Sequence, residues 1–189
     1  MSASFFLIKE QYFAERVHFE KTLDRGEFKK QARRIFVCLK IKTNGNIFYL
    51  PLRTRLGCAI RKYGRIGHAV PSVARPDAGI DYRYALVIND DSYVQELTTP
   101  NIPNSQYKLI VNNYTQIESE FSVYLAGYIK AANKNRIKFA PLYRESSLIN
   151  FHKELGIHTL EKALVWRGLF LMLNALHTFN CDKTVRAAN

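Results

Sequence analysis

The chain is poor in cysteine, in acid over one long stretch, and in unbroken apolar sequence. Its three cysteines, Cys38, Cys58 and Cys181, stand far apart and form no CxxC pair. That spacing argues against a disulfide scaffold or a zinc ribbon and fits a reducing cytoplasm. The most apolar run, Leu164 to Phe179, is interrupted by Arg167 and is too short to span a bilayer. The segment MSASFFLIKEQ has neither a long apolar core nor a small-residue cleavage site, so it does not read as a signal peptide. GxSxG, P-loop and GxGxxG segments are missing, which leaves hydrolase, NTPase and dinucleotide readings without support. The five histidines show no HExxH spacing, and paired acids are missing from the basic half. No metal site and no cofactor are expected.

What is present is a globular composition with a strong charge bias. The 189 residues are 47% apolar and 23% charged, enough for one domain over 1–189 with a sizeable core. Lys and Arg total 28 against 16 Asp and Glu, a formal charge of +12. The excess is localised, since residues 1–75 carry 16 basic and 5 acidic side chains while residues 76–150 carry 7 and 8. Between Glu27 and Asp77 there are 12 Lys and Arg and no acid. Like charges left unrelieved over such a length repel one another, so the run points to an anionic partner more than to an ordinary solvated face. Phe36, Phe48, Tyr49 and Tyr63 are interleaved with these cations. Phosphate contact combined with ring stacking is how single strands are held. Peripheral membrane attachment is the weaker alternative, because the cations fall in strands and loops and not on an amphipathic helix.

Hydrophobic patterning places strands first and helices later, an α+β arrangement. A basic, β-rich part covers about 1–100 and a helical part about 105–180. Phe5–Ile8 reads as a short strand, and Glu10 to Asp24 has room for a short helix. Ile35–Ile41 and Ile47–Leu52 flank Asn44-Gly45, a strong hairpin signal, and Pro51 is expected to end the return strand or put it at an edge. Residues 53–83 read as loops around one strand, Ile66 to Val70. Tyr84–Ile88 and Tyr93–Leu97 follow as strands, and residues 100–104 as a turn. Tyr114, Ile117, Phe121, Tyr124, Leu125, Tyr128 and Ile129 fall at helical spacing, with Thr115 and Glu118 as a capping box. A shorter helix begins near Ser146 or Ser147 and stops at Gly156. An apolar helix is expected over Thr159–Phe179. The expected core comprises Ile35, Val37, Leu39, Phe48, Leu50, Leu86, Ile88, Ile117, Phe121, Leu125, Leu148, Phe151, Leu155, Leu169 and Leu173.

The best candidate for chemistry is the end of the hairpin, Tyr49-Leu50-Pro51-Leu52-Arg53-Thr54-Arg55. A hydroxyl there stands between two guanidiniums where a strand gives way to a loop. Arginines grip phosphate bidentately, and a hydroxyl donates to a phosphate oxygen or a developing charge. The plainer alternative is two surface arginines flanking a strand-ending Thr. The hairpin running into FYLPLRT resembles the toxin endoribonucleases of type III toxin–antitoxin systems, the ToxN, AbiQ and TenpN group. The stretches RPDAGIDYRYALVIND and IPNSQYK are similar to the same group, nearest its TenpN branch. The resemblance covers roughly residues 33–155, and more distantly it extends to MazF and Kid toxins.

The resemblance implies a small SH3-like, MazF-type antiparallel barrel with appended helices. It also implies metal-independent RNA cleavage, with the 2′-OH attacking the phosphate to leave a 2′,3′-cyclic phosphate and a 5′-OH. A small RNA antitoxin would inhibit the enzyme, in ring-like protein–RNA assemblies. By position Thr54 takes the place of the catalytic hydroxyl, flanked by Arg53 and Arg55. The family's second hydroxyl is replaced here by an arginine. His68 is a candidate acid or base, since imidazole titrates near neutrality, and an ordinary strand histidine is the alternative. Arg33, Arg34, Lys40, Tyr49, Arg61, Lys62, Arg65, Tyr107 and Lys108 are candidate RNA contacts. A non-catalytic RNA- or DNA-binding module would need the same charge and the same rings.

Overall fold

The computed structural model describes residues 3–43 and 45–157. The helix expected over Thr159–Phe179, with the core positions Leu169 and Leu173, lies outside the described residues. The first strand, β1 (Ser4–Ile8), leads into the short helices α1 (Glu10–Ala14) and α2 (Phe28–Ala32). The hairpin follows as β2 (Ile35–Thr43) and β3 (Asn46–Arg53), with Gly45 in the left-handed region at φ 73°. Glycine reaches that conformation without steric cost, so the turn forms where the sequence signals it.

Residues 53–83 hold more structure than loops. Helix α3 (Gly57–Tyr63) and strands β4 (Gly67–Ala69) and β5 (Gly79–Asp81) lie there, followed by a 3-10 turn at Tyr82–Tyr84. Strand β6 is only Leu86–Val87, and β7 is Val94–Leu97. Helices α4 (Asn104–Asn112) and α5 (Tyr114–Asn133) come next. The expected capping box does not form, since α5 follows Asn113 with no side-chain cap bond. Near the C-terminal end of the described residues, Ser146 accepts from the Leu148 amide and starts a 3-10 turn at Ser147–Phe151.

All pairings in the sheet are antiparallel, in the order β4-β5-β3-β2-β1-β7, with β6 also on β3. The sheet does not close, so the SH3-like barrel expected from the resemblance is not what forms: β4 and β7 stand at opposite ends of the order. A small barrel fills its interior with its own side chains. Here α5 fills that role, with Phe121 packing edge-on to Phe48 of β3 at 5.3 Å and beside Tyr82 at 5.6 Å. On the same face Tyr107 of α4 stacks on Phe5 at 5.5 Å. The opposite face carries the α1–α2 segment, and Phe13 and Leu23 line a small cavity together with Phe36 and Leu86.

Burial on both faces explains why the strands read as continuous apolar runs without alternation. Phe36, Val37, Cys38 and Leu39 are all buried, as are Phe48, Tyr49 and Leu50. Of the expected core positions within the described residues only Ile35 is half-exposed. Pro51 does not end its strand or put it at an edge. It pairs with Phe36 on β2, while on its other side β3 meets β6 at Phe48–Tyr49 and β5 at Leu52–Arg53. The residue without an amide donor therefore falls where the outer partner changes.

Candidate active site

Strand β3 ends at Arg53, and Thr54 is the first residue beyond it. The chain turns there because the amides of Leu56 and Gly57 both donate to the Asp77 carbonyl, at 2.6 and 3.0 Å. That clamp leaves Thr54 exposed at the mouth of a cavity of about 290 Å³. Five cations line the cavity beside Thr54: Lys30 and Arg33 from α2 and its end, Arg34, Arg53 and Arg75. Leu52, Ile35 and Ala78 give it an apolar floor, and Asn101, Ile102 and Gln106 close it from the start of α4. The structure thus brings together Thr54, Arg53, Arg33 and Arg34 from the sequence candidates.

The cations differ in how they are held. Asp81 is fully buried and accepts from Arg53 at 2.8 Å, from Arg83 through Nε and Nη2 at 3.0 and 2.8 Å, and from the Arg83 amide at 3.1 Å. Arg53 also lies over the Tyr84 ring at 5.2 Å. Arg53 is therefore fixed in one place, a charge-assisted contact that is stronger than a neutral one. Asp24 pairs with Arg34 and, at 3.3 Å, with Lys30. Burial works against the Asp24 carboxylate, yet Arg34 and Lys30 outweigh it and hold it below the usual range. Hydrogen bonds to Asp24 and Glu27 in turn push the Lys30 ammonium up. Arg33 and Arg75 are exposed and form no salt bridge among the described residues. Two free guanidiniums and an exposed hydroxyl around one concavity make a site for a tetrahedral anion.

The remaining candidates lie elsewhere. His68 does not line this cavity. Its Nδ1 is 3.0 Å from Glu120 Oε2, its Nε2 is 3.4 Å from Asn113 Nδ2, and its side chain is 11% exposed. Glu120 also accepts from the Tyr82 hydroxyl at 2.8 Å and from Gln116 at 2.8 Å. Burial disfavours the Glu120 charge, but the hydrogen bonds from His68, Gln116 and Tyr82 prevail and lower its pKa. Tyr49 is a correction. It is 2% exposed, packs edge-on to Phe6 at 5.4 Å, and is pushed up by burial, so its ring is core and cannot stack on a base.

Arg55, Lys40, Arg65 and Lys108 are exposed outside the cavity lining. Arg61 is exposed and pairs with Asp77 at 3.4 Å, and Lys62 lies over Tyr63 at 5.1 Å. Tyr107 is 39% exposed and stacked on Phe5. Lys30, Arg75 and Gln106 are site residues that sequence reasoning did not single out. The acid-free run contained the two cations, but only the packing of α2 and of the 72–75 turn against the end of β3 shows which of twelve converge. No group of three or more His, Cys, Asp or Glu side chains gathers among the described residues. No helix among them is long and apolar enough to cross a membrane.

No protein-family model matches this chain, and no curated protein does. Two solved structures share its fold. One is ToxN, from a study of bacterial type III toxin–antitoxin systems describing selective toxin inhibition by a non-coding RNA pseudoknot. It is 12% identical, with a TM-score of 0.50 over 66% of this chain and 78% of that one. The other is AbiQ, a lactococcal anti-phage endoribonuclease of the type III toxin–antitoxin class. It is 19% identical, with a TM-score of 0.52 over 71% of this chain and 86% of that one.

Proposed function

We infer that this chain is the toxin of a type III toxin–antitoxin system and cleaves RNA in the Thr54 cavity. The observation that carries the reading is the convergence of Thr54 with five cations on one concavity, at the strand end that the sequence resemblance marks. The shared fold with ToxN and AbiQ supports it.

The chemistry is attack of a ribose 2′-OH on the adjacent phosphate. The new P–O bond forms as the bond to the 5′-oxygen breaks; solvent water takes the 2′-OH proton and returns one to the 5′-oxygen, leaving a 2′,3′-cyclic phosphate and a 5′-OH. The pentacoordinate phosphate gains negative charge on its non-bridging oxygens. Arg33 and Arg75 bind those oxygens, Arg53 is held rigid beside them by Asp81, and the Thr54 hydroxyl donates to one of them. These cations supply the positive charge, so the reaction proceeds without a metal ion. Arg53 is preorganised by the buried Asp81, and the exposed Arg33 and Arg75 close on the phosphate when it binds. In this reading His68 holds β4 to α5 and takes no part in the chemistry. The partner that silences the toxin is a small antitoxin RNA bound over the same basic surface, with protein and RNA alternating in a ring. The toxin is a single domain over 1–189 working in the cytoplasm.

The test is cleavage of a mixed RNA pool by purified protein in excess EDTA, with end-group analysis, beside Thr54→Ala. Cyclic phosphate ends that fall away in the variant are expected. Intact RNA that both proteins still bind would replace the enzyme with a nucleic-acid-binding module.

A further inference from the structure

A second cavity, of about 110 Å³, opens between α1 and α2, outside the Thr54 site. Its walls are rings: Phe13, Phe19 and Phe28. Phe19 is held edge-on to Phe151 at 5.3 Å and to Tyr12 at 6.4 Å, so this wall is firm. Arg16 and Arg25 stand at the rim. Arg16 is anchored over the Tyr12 and Tyr93 rings at 4.1 and 4.6 Å, while Arg25 is exposed and without a salt bridge among the described residues. Gln31 also lines the cavity and is 4% exposed. Its Nε2 donates to the Leu23 carbonyl at 2.6 Å, but its Oε1 is buried with no donor. A buried acceptor left without a partner is costly and uncommon in folded proteins, and it marks a place where something is missing.

This cavity is joined to the first. A third, open concavity of about 580 Å³ shares Gly26 and Phe28 with the aromatic cavity and Lys30 and Arg33 with the Thr54 cavity, and Lys29 lies between. Glu10 and Glu27 also line it, so a path with three cations and two acids runs from the reacting phosphate to a small ring-walled slot, with Lys29 and Arg33 as its unpaired cations among the described residues. The slot is well below the size that holds a whole drug-sized ligand, and suits one planar group.

We propose that the Phe13–Phe19–Phe28 cavity takes one unstacked base of the RNA strand whose phosphate lies in the Thr54 cavity, a proposal that rests on the RNA reading above. The rings stack on the base, Arg16 and Arg25 meet the backbone that enters, and an N–H of the base edge donates to Gln31 Oε1. Every base carries such a donor and a π-face, so the slot grips the strand without reading much of its sequence. A peptide or small metabolite would leave the connecting run of cations unused.

The test uses the full chain and a 2′-O-methyl oligonucleotide spanning the mapped cleavage site, which lacks the attacking hydroxyl. Each nucleotide is replaced in turn by an abasic one and the affinity measured. One abasic position outside the cleaved dinucleotide is expected to weaken binding roughly ten-fold, the scale of one lost stacking contact. That penalty should fall away in Phe28→Ala, which removes a stacking ring, and shrink in Gln31→Met, which removes the acceptor; both bind the unmodified strand more weakly. Gln31→Met keeps the side chain's length and decides the matter if Phe28→Ala does not fold. A flat scan outside the cleaved dinucleotide, or the same penalty in both variants, overturns the slot and leaves the RNA reading standing. An oligonucleotide that does not bind the unaltered chain at all overturns both.

Discussion

At the end of β3, five cations surround an open cavity and two of them have no acid to answer them. Two strands along the sheet order, on β4, His68 has both ring nitrogens engaged. The carboxylate it meets, Glu120, is engaged by the Tyr82 hydroxyl and by Gln116 as well. Both places carry the residue types that catalysis uses. The difference lies in what is left over. A cluster whose polar atoms all find partners inside the protein holds elements together, whereas one that leaves charge and hydroxyl facing solvent is free to meet a ligand.

The comparison breaks or sharpens first at Asp81, which fixes Arg53 from a fully buried position. Asp81→Ala leaves Arg53 and Arg83 without their acid, and removing one partner of a buried ion pair costs about 3 kcal/mol. Urea denaturation should show that loss, together with a fall in cleavage as Arg53 loses its anchor. Next is Thr54→Ala, expected to lower cleavage by about 10²- to 10³-fold while the denaturation midpoint stays put, because the side chain is exposed and removes only transition-state contact.

Glu120→Gln is expected to act the other way. It should lower stability by about 1 kcal/mol, the scale of a hydrogen bond in a partly exposed network, with cleavage at neutral pH retained. The Glu120 pKa is depressed in the folded chain, so its contribution is complete above the ordinary value of 4.5 and lost as pH falls through the lower folded value. Acid titration of the unaltered chain should show that loss, and Glu120→Gln should flatten it. The smallest effect belongs to Arg75→Gln. It should reduce the slope of log affinity against log salt by about 0.7, the share of one single-strand phosphate contact. Lys108→Gln, away from the cavity, tests whether the site or the whole basic surface sets the slope.

Much of this was legible in the sequence for physical reasons that apply locally. The β2–β3 hairpin follows from its Asn-Gly turn, α5 from its apolar period, and the Thr54 turn from the strand ending beside two arginines. What was hidden depended on packing. The strands β4 and β5 are three residues each, too short for a period to register, and they exist because β3 offers β5 an edge and β5 in turn pairs β4. Helix α3 carries no fully buried residue, so it leaves no apolar stripe to read. Tyr49 reads like a surface ring among cations, but the sheet is covered on both faces and the ring is core. The barrel expectation came from the family resemblance, and motifs around one hairpin do not say whether strands or a helix will cover the rest of the sheet. Which cations converge is likewise a property of the α2 and 72–75 segments meeting the end of β3.

The measurement that bears most directly on the account is a crossed one: cleavage rate and urea midpoint, side by side, for Thr54→Ala and His68→Gln. The account predicts that Thr54→Ala loses cleavage at an unchanged midpoint, and that His68→Gln lowers the midpoint while the folded fraction still cleaves. A His68→Gln protein that is as stable as the parent but no longer cleaves RNA would contradict it, and would give β4 a part in the chemistry.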